Sequence, residues 1–329
     1  MEYLIDYLMF AAKFLTVMIS LAVPVVIVLA FRHGRQSGEL PNLEITRVND
    51  RIRNTALNLE SALLPGKQFK QRVKAQRKEE KARANAKDDS ARKRVFVLEF
   101  DGDIRAHAVE QLREEVTGVI AVAQPDDEVV VVLESGGGTI HGYGLGASQL
   151  TRLRERDLRL TVVVDRIAAS GGYMMACVAD EIVAAPFAII GSIGVVAQFP
   201  NFNRLLKKHD IDFEEITAGK YKRTLTMFGE NTAEDRDKVQ SELNEAHVLF
   251  QAFIEKYRPQ VDLALVATGE YWFGSKALEL KLIDQIATSD DLIYAAIEDA
   301  DVFRISAQKK SGMLEKLTDT LGRVTAPPL

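Results

Sequence analysis

One cysteine, Cys177, in 329 residues excludes an internal disulfide framework and a cysteine-based metal site, while leaving the compartment open. Five histidines, at 33, 107, 141, 209 and 247, have no metal-ligand spacing, and no His-Glu-x-x-His or paired-carboxylate pattern accompanies them. A metalloenzyme is therefore disfavoured. No histidine stands in an obvious place to activate a serine. His209 lies next to Asp210, but within Leu205-Leu-Lys-Lys-His-Asp210, which reads as a helix end where a cation suits the dipole. No Gly-Lys-Ser/Thr follows the glycine turn at 135–138, so a nucleotide P-loop is excluded. No cofactor is expected.

Charge is spread unevenly. Residues 66–94 hold twelve Lys or Arg against four acids, near +8, so the formal net charge of −5 leaves the rest near −13. Only Phe69 interleaves that basic run with an aromatic ring, which argues against nucleic-acid binding and for a solvated helix or linker. Proximity to an apolar segment makes contact with anionic lipid a sharper reading.

That segment is the longest apolar run. Phe14 to Phe31 gives eighteen residues without a charge, enough to span a bilayer core of roughly 30 Å at about 1.5 Å per residue. Glu2 and Asp6 stand where a signal peptide would be positive, and no Ala-x-Ala cleavage site follows, so an uncleaved anchor is expected. Arginines at 32, 35, 47, 51 and 53 would place the body in the cytoplasm by the positive-inside rule. A second apolar run, Ile182 to Ala197, contains Pro186, Gly191, Ser192 and Gly194 and reads as two buried strands with a turn.

From Arg94 the pattern becomes strands alternating with helices. Strands are predicted at Val95–Phe100, Glu128–Leu133 and Leu160–Val164. Helices are predicted at Ala108–Ala123, Tyr143–Arg154, Gly171–Ala179, Asn203–His209, Ala233–Tyr257, Ser275–Leu280 and Leu292–Asp299. Uninterrupted valine runs between helices argue for an α/β domain with a largely parallel sheet covered on both faces. Four regions follow: an anchor over 1–31, a basic helical stalk or linker over 32–93, a catalytic domain over 94–303, and a C-terminal helix and tail over 304–329. The last carries Met313, Leu314, Leu317 and Leu321 on one face.

Two glycine-rich turns carry the chemistry. The first, within Glu134-Ser-Gly-Gly-Gly-Thr-Ile-His-Gly-Tyr-Gly-Leu-Gly-Ala147, contains Gly142-x-Gly-x-x-Ala147 with Asp165 about twenty residues on, an imitation of a dinucleotide fingerprint. Gly142 lies nine residues beyond Leu133, however, and the fingerprint should begin at the strand end. The tighter turn Ser135-Gly136-Gly137-Gly138 leaves unhindered N–H groups that can hold an anionic oxygen. The second turn, Ala169-Ser170-Gly171-Gly172, presents a serine directly after an apolar strand. In a parallel sheet both turns leave from carboxyl ends and face one crevice, which is acyl-transfer geometry. The bland alternative is that Ser170 merely caps the following helix. About fifty residues on, Gly219-Lys-Tyr-Lys-Arg223 offers lysines, and a lysine is one of the few groups able to deprotonate a serine.

Ala168-Ala-Ser-Gly-Gly-Tyr173, Gly191-Ser-Ile-Gly-Val195, the Ser-x-Gly-Gly turn at 135–138 and Gly219-x-x-Lys222 together resemble the signal peptide peptidase A family of serine-lysine membrane peptidases. The resemblance covers almost the whole chain, most specifically 94–300. It implies a ClpP/crotonase-like βαβ superhelix with an N-terminal transmembrane helix. It also implies a serine endopeptidase in which Ser170 is the nucleophile, Lys222 rather than Lys220 the general base, and Ser192 the residue that hydrogen-bonds the lysine amine. Gly137 or Gly138, with Gly171 as a further candidate, would form the oxyanion hole. Gly136 stands where the family usually has proline. A lysine base must lose its proton near neutrality, which burial among apolar groups promotes. Met227, Phe228 and the 182–197 run are the expected surroundings. The resemblance further implies a dome-shaped homo-oligomer whose serine and lysine can come from adjacent protomers. Substrates would be membrane-proximal or unfolded peptides, including remnant signal peptides. The site would lie at the bacterial inner membrane, with the catalytic domain in the periplasm. Competing readings are an inactive homologue serving as a membrane scaffold and an NAD-linked enzyme using 142–147.

Overall fold

The computed structural model describes residues 43–85 and 92–307, together with nine positions between 7 and 20. The chain divides into two units, 1–42 and 43–329. In the first, the described positions are helical. Most of the apolar run from 14 to 31, and the apolar face expected at 313–321, lie outside the described residues. Among the described residues no helix is long and apolar enough to cross a membrane.

In the second unit a ten-stranded sheet is built from β1 (Leu43–Arg47), β2 (Arg94–Gly102), β3 (Glu128–Ser135), β4 (Arg159–Val164), β5 (Ile167–Ala169), β6 (Glu181–Ala184), β7 (Ile189–Gly191), β8 (Tyr271–Phe273), β9 (Gln285–Ile286) and β10 (Asp301–Ala307). The main path runs β1-β10-β2-β3-β4-β6-β9, while β5, β7 and β8 branch from β3. Pairing is parallel throughout except for β1 against β10 and β8 against β7. The helices are α1 (Val48–Leu63), α2 (Gly66–Asn85), α3 (Val109–Val122), α4 (Ile140–Arg154), α5 (Gly171–Ala176), α6 (Asn203–Lys208), α7 (Ala233–Tyr257), α8 (Leu263–Val266), α9 (Gly274–Glu279) and α10 (Ser289–Asp299).

The valine runs are continuous because successive side chains serve opposite faces. Phe96, Leu98, Phe100, Val129, Val131, Leu133, Val162 and Val164 pack with Leu112, Val116 and Val119 of α3 and Leu150 and Leu153 of α4. Val95, Val97, Val130, Val163, Val183 and Val302 form the other face with Val48 of α1 and Ile293 of α10. The sheet therefore needs a cover that begins well before residue 94. The segment expected as stalk is accordingly divided: β1 pairs with β10 from Leu43↔Ala307 to Arg47↔Phe303, and α1 contributes Val48 and Asn49 to the interior. Asn49 fastens it, accepting from Val302 N–H at 2.8 Å and donating to Ala300 O at 2.9 Å. Among the described side chains of the basic α2, those of 66–78, none is buried.

Strand register brings the carboxyl ends together. Gly102 pairs with Ser135, Ser135 with Ala168, and Ala169 with Gly191. The next residues along these strands include the glycine turn, Ser170 and Ser192.

Candidate active site

Ser170 occupies the step from β5 into α5 with φ 53° and ψ −118°, a left-handed conformation that costs a non-glycine residue about 1–3 kcal/mol unless its surroundings impose it. Those surroundings are visible. Its N–H donates to Gly191 O at 2.7 Å, continuing the β5–β7 ladder, while its carbonyl accepts from Met174 N–H at 3.0 Å. The hydroxyl makes no capping bond to the helix, so the bland role for this serine is not the one adopted. Ser192 follows Gly191 at the register position beside Ser170, also at positive φ (51°), with its N–H on Glu270 O at 2.7 Å.

The glycine turn lies directly against this serine. At Gly137 (φ 87°) a methyl group would stand 2.7 Å from Gly171 N and 2.8 Å from Ser170 Cβ, so both the backbone conformation and the contact require glycine. A methyl on Gly138 would fall 2.0 Å from Ile104 O in the loop after β2. The Gly137 N–H is already engaged, donating to Ser135 Oγ at 3.1 Å. Among the described residues the N–H groups of Gly138 and Gly171 meet no acceptor. Two free amides therefore flank a strained serine at a strand-to-helix turn, an arrangement able to stabilise an oxyanion.

Beneath both turns lies Tyr143, fully buried on the first turn of α4. Its hydroxyl donates to Asp103 O at 2.8 Å and hydrogen-bonds Ser135 Oγ, which also reaches Gly102 O at 3.0 Å. Burial, with Asp103 and Asp101 adding to it against the Ser135 hydrogen bond, holds the phenol above its ordinary value, so it stays protonated. Sequence reading missed this residue; the only signal was a tyrosine set between Gly142 and Gly144 at a helix start.

Of the remaining glycines of that stretch, Gly142 and Gly146 pack closely, whereas a methyl on Gly144 would meet nothing within 4 Å. Gly142 faces Thr139 Oγ1, Ala106 Cβ and Arg105 O, and Gly146 faces Met175 of α5. The Asp165 carboxylate accepts from Ser289 N–H at 2.8 Å and Ser289 Oγ at 2.6 Å. Gly142 and Asp165, two of the features that imitated a dinucleotide site, are thus occupied by the fold itself.

Lys222 stands apart. It is exposed in the irregular segment between α6 and α7, with its backbone N–H on Gly219 O at 3.1 Å, and among the described residues no hydrogen bond or ion pair joins it to Ser170 or Ser192. The segment is tied to itself. Asn201 Nδ2 donates to Thr226 O and Gly229 O, Asn203 Nδ2 donates to Phe228 O, and the Phe213 and Phe228 rings lie 5.7 Å apart. Met227 and Phe228, the expected apolar surroundings of the lysine, are themselves 42% and 40% exposed. Lys220 is committed elsewhere: its hydrogen-bonded ion pair with Glu234, 2.5 Å long, raises its affinity for the proton. His209 closes α6, as expected. Among the described residues no group of three or more His, Cys, Asp or Glu side chains is placed to hold a metal ion.

Comparison with known proteins gives a consistent result. Residues 2–150 match the N-terminal model of peptidase family S49, and residues 152–303 match the model of peptidase family S49 itself. A Haemophilus influenzae protein described as "Probable protease SohB" is 43% identical over 325 residues, covering 96% of this chain and 92% of its own. A Buchnera aphidicola protein of the same description is 59% identical over 227 residues, 69% of this chain and 68% of its own. With a strained serine, a glycine turn against it and relatives of this kind along nearly its whole length, the chain is a SohB-like member of peptidase family S49.

Proposed function

We propose that the chain is a membrane-anchored serine endopeptidase with Ser170 as nucleophile and Lys222 as general base. The observation that carries this reading is the strained Ser170 turn, with the glycine turn packed on it and two amide donors left without acceptors. In the proposed reaction Ser170 Oγ attacks the peptide carbonyl while its proton passes to Lys222 Nζ. The C–N bond then breaks, and the departing amine takes that proton. Water attacks the resulting ester, its proton moving by way of Lys222 to Ser170 Oγ, and the new carboxylate leaves. Of the three candidate oxyanion donors, Gly138 and Gly171 are favoured over Gly137, because the Gly137 N–H is spent on Ser135. Ser192 would hold the lysine amine.

Because Lys222 is exposed in the single chain, the base is best supplied by an adjacent protomer of a homo-oligomer, where a neighbour would supply the apolar cover a neutral amine needs. Substrates are unfolded or membrane-proximal peptides. The 1–31 run anchors the enzyme in the bacterial inner membrane with the catalytic domain on the periplasmic side, and the fold is read as a ClpP-like βαβ superhelix. The isolation of Lys222 also favours a second reading, an inactive scaffold.

A fluorophosphonate probe separates the two. Wild type should be labelled, Ser170→Ala should not, and Lys222→Ala should label at least about a thousandfold more slowly. Labelling that survives both substitutions sinks the dyad; an unlabelled wild type supports the scaffold.

A further inference from the structure

The two turns of the candidate site belong to different strands, and nothing in their own sequences fixes their spacing to the fraction of an ångström that an oxyanion pocket needs. The buried Ser135–Tyr143 pair does. Ser135 is the last residue of β3 and is 2% exposed; its Oγ accepts the Gly137 N–H at 3.1 Å, turning that amide inward. Its carbonyl packs against Gly172, where a methyl group would stand 2.5 Å from it, so the same residue touches the glycine turn with its side chain and the serine helix with its backbone.

Tyr143 completes the brace. An added Cβ on Gly171, the residue after Ser170, would meet the Tyr143 ring at 2.4 Å, and one on Gly102 would meet its hydroxyl at 2.6 Å. The ring is therefore the spacer between the end of β2 and the backbone that carries the serine, and Phe100 holds it edge-on with ring centroids 6.3 Å apart. The hydroxyl ties that spacer to Ser135 and to Asp103 O. Two hydroxyl protons serve three oxygen contacts, Ser135 with Tyr143, Ser135 with Gly102 O and Tyr143 with Asp103 O. One proton is thus shared between acceptors, and losing either hydroxyl takes a donor from the Gly102 or the Asp103 carbonyl. The loop after β2 is fixed by the same network, since Ile104 O accepts the Thr139 N–H at 2.9 Å and His107 holds Asp103 through its backbone N–H at 2.9 Å and its ring at 2.6 Å.

We propose that Ser135 and Tyr143 are positioning residues: by turning the Gly137 amide away and spacing the glycine turn from the serine turn, they aim the Gly138 and Gly171 N–H groups at the developing oxyanion. The proposal rests on the reading of Ser170 as nucleophile, and it adds to that reading two residues that touch no substrate.

The test uses the full chain in detergent, a fluorophosphonate probe, and the variants Ser135→Ala and Tyr143→Phe. The probe places its phosphonyl oxygen in the oxyanion pocket, so the maximal labelling rate reads the pocket and the half-saturating concentration reads binding. The maximal rate should fall about tenfold in each variant, a fraction of the loss expected on deleting a donor outright, with half-saturation unchanged within about twofold. The double variant should be little slower than the slower single, because both act on one turn. Circular dichroism checks folding. Should Ser135→Ala fail to fold, Tyr143→Phe, which keeps the ring and removes one oxygen, decides alone. Labelling at the wild-type rate, or a change confined to half-saturation, overturns the positioning role while leaving Ser170 as nucleophile intact. A wild type that labels nowhere, or labels equally in Ser170→Ala, overturns the nucleophile and this inference with it.

Discussion

Glu115 shows how far one side chain can depart from what its position in a sequence suggests. On α3 it reads as one acid among several on a solvated face, yet it is 3% exposed, with Oε1 accepting the Ala307 N–H at 2.9 Å and Oε2 buried with no partner among the described residues. Burial, with Glu99 nearby adding to it and the Ala307 N–H opposing, raises its affinity for the proton. The sign for stability follows from that direction. Between the unfolded carboxylate value, about 4.3, and the higher folded one, the native state holds a proton the unfolded chain has lost, so stability falls as pH rises through that window. Above it the full penalty of a buried carboxylate persists. Glu115→Gln keeps an acceptor for Ala307 and removes the charge. It should raise stability by roughly 1 kcal/mol at neutral pH and change little below about pH 4, read as melting temperatures at the two pH values. A Gln variant that melts lower at neutral pH would show that the ionised carboxylate is favoured. Ser170 and the glycine turn were legible because strand-to-helix punctuation shows in sequence. Glu115 and Tyr143 were not, since what buries them is the approach of β10 and the serine turn, residues far away in the chain.

Among elements, the valine strands were read with close boundaries because each buries a continuous apolar set, and the 233–257 helix likewise, although only Phe250 and Ile254 of it are buried. The long helix also announces its start with Thr232, which accepts from Asp235 N–H at 3.2 Å in a capping box. β1 and α1 read as stalk because 32–93 carries few large apolar residues: the alternation in Leu43-Glu-Ile-Thr46 is only four residues long and only two residues of α1 are buried, so the local signal is that of a surface segment. Their place in the sheet depends on β10 lying alongside. The end of α7 carries another tertiary tie without a local signature. Arg258, whose side chain is 3% exposed, donates from Nη1 and Nη2 to Asp284 at 2.7 and 2.8 Å and from Nη2 to Lys281 O at 3.0 Å, while Asp284, 34% exposed, also accepts the Ile182 N–H at 2.8 Å. The unequal burial sets the order of two substitutions. Asp284→Ala strands a buried guanidinium and an amide and should cost about 3–4 kcal/mol, whereas Arg258→Met leaves a carboxylate that water reaches and should cost about half as much. Urea unfolding of both variants tests this, and the reverse order would show that the carboxylate is the group that cannot stand alone.

At the scale of the molecule, the segment carrying Lys222 is the part least explained by a single chain. Ile216 is 95% exposed and Val196 78%, and Phe199, Ile211 and Phe213 also remain largely open, an apolar surface that a second copy of the chain would cover. If the base of each site comes from a neighbour, serine and lysine need not reside on one polypeptide, and two inactive variants can repair each other. In a closed ring assembled from equal amounts of Ser170→Ala and Lys222→Ala subunits, each site draws its serine from one protomer and its lysine from the next, so about a quarter of the sites hold both wild-type groups. Co-expressed variants should then regain about a quarter of wild-type labelling and hydrolysis, although either alone is inactive. Sites completed within one chain predict none, because every polypeptide in the mixture lacks one member of the pair. Placing a charge in the exposed apolar segment, as in Ile216→Asp, should abolish the repair by separating the subunits, and repair that survives such dissociation would rule out a base delivered across this surface.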